Sequence, residues 1–208
     1  ASSSSLGTIV RLGIDGKTVK SVTKVGADIA DMMIDGNDNI YVALKTEGAI
    51  KLNSTASSVI YKISDLDVYR LDAGKIGYCA YLGGVGEDFG GYHKIRLYDQ
   101  DGNLILDRYT ANRCLDIAVS EENQVVVYSG FNMYFQSSVE LHMTFYEGIG
   151  FNGAVLYNGY NWTDKDWVSR NWGEQTRGNV ISIGEDGYLY QINTWTGKGY
   201  NCLERDPF

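Results

Sequence analysis

The residues Gly148-Ile149-Gly150-Phe151-Asn152-Gly153 match the dinucleotide-binding glycine fingerprint letter for letter. That motif holds a pyrophosphate only where a strand feeds a helix N-terminus, and Ala154-Val155-Leu156-Tyr157 reads as another strand, so the glycines read as a turn. Asp99-Gln100-Asp101-Gly102-Asn103 and Asp35-Gly36-Asn37-Asp38-Asn39 space oxygens as a calcium loop does, but neither ends in the bidentate Glu of a twelve-residue loop. Asp-Gly and Asn are also what strand reversals select, so both read as plain turns. The two histidines, His93 and His142, lack any H-E-x-x-H, G-x-S-x-G or Cys-His context, which leaves histidine-based nucleophilic catalysis unsupported. Glu87-Asp88, or Asp164 and Asp166, could act as an acid and base pair if the fold brought them together; a solvated loop face is the simpler reading.

The aromatics carry more information. All four tryptophans, Trp162, Trp167, Trp172 and Trp195, fall in connections between strand-like segments, and Tyr92, Phe131, Tyr134 and Tyr160 fall there too. Trp and Tyr provide large, rigid, amphipathic contact area, so these eight residues are the candidate ligand-binding set. Folding of long loops over their own aromatics, as a plug of the central channel, is the structural alternative. No set of cofactor or metal ligands stands out, and neither a cofactor nor a metal is expected. Cys79, Cys114 and Cys202 are odd in number and show no C-x-x-C spacing, which argues against a zinc site or a dense disulfide framework. Asn53-Ser54-Thr55 and Asn161-Trp162-Thr163 have the form of glycosylation acceptors, a motif short enough to arise by chance.

The elements that position these residues are short strands. Thr8 to Thr23 reads as a hairpin with Asp15-Gly16 at its tip, and Gly178 to Ile192 as another, turning at Glu185-Asp186-Gly187. Between them three meanders of four strands follow: Ile29 to Tyr61, Val68 to Tyr109, and Leu115 to Tyr157. Ile50-Lys51-Leu52, Ile95-Arg96-Leu97 and Val10-Arg11-Leu12 repeat one pattern in the third strand, with Met143-Thr144-Phe145 as a looser version. Two apolar residues face one way and a long polar one the other, as a strand packed on one side requires. Four-strand units repeating at this spacing are the signature of propeller blades. The two terminal hairpins are each half a blade and would together complete a fourth, closing the ring. The alternative is a part of a larger ring.

In such a meander the second-to-third and fourth-to-first connections emerge on one face, where the eight aromatics gather; the opposite face carries mostly Asp, Asn, Glu, Gly and Ser. The 208 residues, with 25 Gly and a single Pro, suit one all-β core. A formal charge of -8 disfavours a nucleic-acid or anionic-membrane partner. No stretch approaches the roughly 18 to 20 consecutive apolar residues of a spanning helix. The first residue is Ala, followed by Ser2 to Ser5, which reads as a processed or excised piece on a flexible tether, with residues 1–7 as a flexible segment.

Ile34-Asp35-Gly36-Asn37-Asp38-Asn39-Ile40-Tyr41-Val42, Ile117 to Asn123, and Ile183 to Tyr190 resemble the repeats of NHL-type and quinoprotein-type (PQQ-like) β-propellers, in which a strand ends in an Asp-Gly-Asn turn and leads into Ile-Tyr-Val or Leu-Tyr. The resemblance implies a fold only, since such blades serve enzymes, scaffolds and surface modules alike. The expectation is a single all-β domain, a β-propeller of four blades of four antiparallel strands, acting as a non-catalytic binding or assembly module. It would be extracellular or on a virion surface and hold a glycan or protein on its aromatic face. A propeller hydrolase or lyase with a carboxylate-lined central pocket is the alternative.

Overall fold

The structure, a computed structural model, describes residues 7–85, 92–110, 113–136, 139–162, 176–184, 186–195 and 201–206. All regular elements among them are strands. A hairpin of β1 (Thr8–Leu12) and β2 (Val19–Lys24) comes first. Sheet 1 follows with β3 (Ile29–Ile34), β4 (Ile40–Leu44), β5 (Gly48–Leu52) and β6 (Val59–Ile63). Sheet 2 has β7 (Asp67–Ala73), β8 (Cys79–Val85), β9 (Tyr92–Tyr98) and β10 (Leu104–Tyr109). Sheet 3 has β11 (Arg113–Ser120), β12 (Val125–Gln136), β13 (Val139–Gly150) and β14 (Val155–Trp162). Sheet 4 has β15 (Thr176–Ile183), β16 (Leu189–Trp195) and β17 (Asn201–Asp206). Each strand pairs antiparallel with its neighbour in sequence within its sheet.

The core is layered in chain order. One apolar cluster joins Ile9 and Ala27 to Ile40, Val42, Leu44, Ile50 and Leu52. A second joins Tyr41, Ala43 and Ala49 of sheet 1 to Leu71, Cys79 and Tyr81 of sheet 2. A third joins Ala80, Leu82, Ile95 and Leu97 to Ile117 and Val119. A fourth joins Ala118, Val125 and Val127 to Ile181 and Leu189. Meanders stacked face to face, with first strands in contact from sheet to sheet, make this a propeller-type fold.

The terminal hairpins differ from the expectation of one shared blade. β1 and β2 form a sheet of their own, and the place beside β16 is taken by β17, which pairs Ile192 with Leu203 and Tyr190 with Arg205. Gly7, assigned to the flexible segment from sequence, donates its N–H to Ala27 and accepts from Val25.

The repeated third-strand pattern is also offset. Leu52 pairs with Ile40, and Tyr98 pairs with Cys79, the residues that open each second strand. Lys51 therefore stands opposite Tyr41, whereas Arg96 stands opposite Tyr81, one position along. A slip of one residue reverses the face a side chain takes. Lys51 accordingly reaches forward to the Gln100 carbonyl of sheet 2, at 2.8 Å. Arg96 reaches back to Asp65 through two bonds, Nη1 to Oδ1 at 2.5 Å and Nη2 to Oδ2 at 2.8 Å. Both polar residues are buried rather than solvated, because a propeller-type sheet is covered on both faces.

Candidate axial site

The first strand of every sheet is bonded to protein on one side only, so its inner edge carries N–H groups that the ladder leaves unpaired. Aspartates from the preceding sheet accept them. Asp31 Oδ2 lies 3.2 Å from Leu71 N, Asp72 Oδ2 lies 2.7 Å from Val119 N, and Asp116 Oδ2 lies 2.8 Å from Ile181 N. Register shifts between Ile29 and Asp31, Val68 and Arg70, and Cys114 and Asp116 put a bulge just before this stretch in each strand. A bulge re-aims the side chains that follow it. Burial pushes the Asp72 carboxyl up to about 6, with the Val119 and Ala73 N–H groups opposing and the negative charges of Asp116 and Asp31 adding to the rise. Burial also raises Asp116, with the Ile181 N–H and the Arg70 guanidinium working the other way.

At the mouth of this axis, where the turns after β7, β11 and β15 meet, lies a cavity of about 600 Å³ bordered by Asp72, Lys75, Val119, Glu121, Glu122 and Ser182. Glu121 closes one wall. Its Oε2 accepts from Ile76 N at 2.7 Å, and its Oε1 accepts from Gly77 N and Tyr78 N at 2.8 Å each. A carboxylate from sheet 3 thus sits in a nest of three backbone N–H groups of sheet 2. A methyl at Gly74 would overlap the Glu121 carboxyl, so glycine is required there for the close approach. Replacing Glu121 by Gln keeps the shape and removes the charge. Chemical denaturation should show a loss of about 1 to 2 kcal/mol for Glu121→Gln, the margin of a charge-assisted over a neutral bond summed over this nest.

The cavity can take a polar group, and the axial carboxylates already accept backbone hydrogen bonds. Among the described residues no group of three or more His, Cys, Asp and Glu side chains is placed to hold a metal ion. His93 Nδ1 accepts from Cys114 N at 2.9 Å and lies 2.7 Å from the Tyr69 hydroxyl. Cys79 and Cys114 are buried, and burial pushes the Cys114 thiol up to about 12, with the Thr110 hydrogen bond opposing. The calcium-like segments are turns: Asp35 Oδ1 accepts from Asn37 N and Asn39 N, and Asp99 Oδ1 from Asp101 N and Asn103 N. The glycine fingerprint runs from β13 through a turn into β14, strand to strand, with no helix for a pyrophosphate.

None of the six sequence-derived aromatic residues that are described borders this cavity. Trp167 and Trp172, with Glu87, Asp88, Asp164 and Asp166, fall outside the described residues. The other six belong to strands rather than loops: Tyr92 to β9, Phe131 and Tyr134 to β12, Tyr160 and Trp162 to β14, and Trp195 to β16. β12 and β13 run for 12 residues each, against 5 to 7 in the second and third strands of sheets 1 and 2. β11 begins at Arg113, opposite Phe131, so β12 continues past the first strand as a ribbon with β13 out to Gln136 and Val139. Trp162 pairs with Met143 at the base of that ribbon. Sequence reading misses Asp31, Asp72, Asp116 and Glu121, since each acts on a strand or turn about 40 to 65 residues away.

No protein-family model matches the sequence, and no curated protein does. Among solved structures the chain is similar to BamB from Moraxella catarrhalis, with 11% identity, a TM-score of 0.47, and coverage of 96% of this chain and 67% of that one.

Proposed function

We propose that the protein is a non-catalytic binding module that holds a protein partner along the extended β12–β13 ribbon and the aromatic segment after β14. The observation that carries this reading is the length of the ribbon, which runs past the first strand of its own sheet and whose sequence includes Phe131, Met133, Tyr134 and Phe135. Paired strands beyond a sheet offer both main-chain edges and aromatic side chains to a partner, the combination used in strand addition and in interface hot spots. Trp162, Trp167 and Trp172 follow on the same stretch of chain and belong to the proposed surface. The axial carboxylates support a non-catalytic role, because each already holds an N–H of the next sheet.

The cavity above Asp72 favours a second reading, a hydrolase or lyase acting at the axis, since a carboxyl near 6 suits general acid work. One comparison separates the two. Immobilised wild type and the Tyr134→Ala and Trp162→Ala variants, each checked by circular dichroism, are exposed to native extracts and to a glycan panel. Bound species are then quantified. The proposal expects a protein retained by wild type and reduced at least about tenfold by either variant, the effect of losing a hot-spot aromatic. Equal retention by all three would overturn it, as would turnover of aryl glycosides or esters that disappears in Asp72→Asn. A glycan retained in place of a protein would move the ligand class to carbohydrate.

A further inference from the structure

The fourth strand of each meander opens on two aliphatic residues, Val59-Ile60 in β6, Leu104-Ile105 in β10 and Val155-Leu156 in β14. In every case the ladder skips the second of the pair. Leu52 and Lys51 pair with Val59 and Tyr61, Tyr98 and Leu97 with Leu104 and Leu106, and Ile149 and Gly148 with Val155 and Tyr157. Ile60, Ile105 and Leu156 are therefore bulged residues at one position of three sheets, and a bulge re-aims its side chain. They are 46%, 41% and 54% exposed, so each sheet holds a large aliphatic in water at the same place.

These positions follow one rim, at the end of the stack where the first and third turns of the meanders emerge. The third turn of sheet 2, Asp99 to Asn103, lies against β6, with Gly102 facing the Tyr61 ring. The third turn of sheet 3 lies against β10, where the Gly153 carbonyl accepts from Arg108 at 3.3 Å. Aliphatic pairs and turns thus alternate along the rim. The turns are acidic: Asp38, Asp99, Asp101, Glu122 and Asp186 stand in them, and among their described residues Lys75 is the one basic side chain. Asp35 and Glu121, at the same end, are taken up by Tyr41 and by the Gly77 and Tyr78 N–H groups.

Aliphatic side chains set among carboxylates fit a partner that is apolar and cationic at once. The bulges tell against an added strand here, since each interrupts the edge along which a strand would pair. A second copy carries the same acidic end and the same formal charge of -8, so two such ends repel, and an anionic lipid surface repels this end likewise. We infer that the rim receives a basic amphipathic helix of a partner protein, its aliphatic stripe covering Ile60, Ile105 and Leu156 and its Lys and Arg side chains meeting Asp99 and Asp101. This surface is separate from the β12–β13 ribbon, which leaves sheet 3 at the other end, beyond Gln136 and Val139.

Fluorescence anisotropy with a labelled Leu–Lys peptide of about 18 residues, patterned as an amphipathic helix, tests this. Wild type binds the peptide, and added salt weakens the binding. The double variant Ile60→Gln/Ile105→Gln binds at least about tenfold more weakly, through the loss of two apolar contacts. Asp101→Asn binds about threefold more weakly, through the loss of one charge at the rim. A Leu–Glu peptide of the same pattern is not bound. Circular dichroism checks both variants; if the double variant does not fold, Asp101→Asn, in an exposed turn, carries the test. A wild type that binds neither peptide defeats the inference, as does one that binds both equally or variants that keep the wild-type affinity. Retention on phosphatidylcholine vesicles that the double variant loses would assign the rim to lipid and defeat it too.

Discussion

Stability rises on mild acidification: the urea midpoint at pH 5 exceeds that at pH 7.5, and the Asp72→Asn variant removes most of the difference. Asp72 is responsible, since its carboxyl lies near 6 in the fold against 3.8 in the unfolded chain. A carboxyl whose folded value is raised binds its proton more tightly in the native state. Its contribution is complete below about 3.8 and is lost as pH rises through about 6. A rise of roughly two pKa units corresponds to about 3 kcal/mol. Asp35, Asp65 and Asp99 run the other way. In Asp35 and Asp99 burial favours the neutral acid but is outweighed by hydrogen bonds led by Asn39 and Asn103, and in Asp65 the Arg96 bonds dominate. These three lose stabilisation as pH falls through their lowered values, so the optimum lies between about 4 and 6. A stability that falls steadily from pH 7.5 to 5, or an Asp72→Asn variant with the wild-type profile, would contradict the assignment.

Lys51→Ala loses about 4 kcal/mol in chemical denaturation and Lys51→Met about 2. Lys51 is 2% exposed. Its ammonium donates to the Gln100 carbonyl at 2.8 Å, stands 3.9 Å from Asp35 Oδ2, and lies 4.9 Å from the centre of the Tyr41 ring. Burial holds its pKa below the usual lysine value, with the Asp35 charge opposing that shift. Methionine restores most of the volume and leaves the Gln100 carbonyl and Asp35 without the cation, the smaller cost. Alanine adds the cavity left by the aliphatic stem, in a layer where Tyr61 and Tyr81 also meet through their hydroxyls. Equal losses for the two variants would mean that the ammonium alone, and not the filled space, holds the layer.

Most strands are legible because their turns announce them. Asp35-Gly36-Asn37, Asp99 to Asn103 and Asp186-Gly187 each fix a reversal by local hydrogen bonds, and local chemistry is what a single sequence displays. Legibility fails where geometry depends on register. Ile50-Lys51-Leu52 and Ile95-Arg96-Leu97 look alike, yet they sit one residue apart on their partners and point opposite ways. Asn201-Cys202-Leu203-Glu204-Arg205-Asp206 lacks strict alternation and announces no strand, although it forms β17. The ribbon of β12 and β13 reads as a link because Ser129, Gly130 and Asn132 are residue types common in loops. The axial aspartates are invisible for another reason: nothing near Asp116 in sequence marks Ile181 as its donor, 65 residues on.

The three axial bonds share an order in the chain, since in each the amide that donates lies later than the carboxylate that accepts. During synthesis the acceptor is therefore always made first, and it stays hydrated until the next sheet emerges to meet it. Truncation has a polarity for the same reason. Cutting before Thr176 returns one aspartate, Asp116, to water, whereas removing everything up to Ile63 strips Leu71 of its acceptor and uncovers an amide instead. A carboxylate solvates readily and a strand-edge amide invites another strand, so shortening from the amino end is the more aggregation-prone of the two.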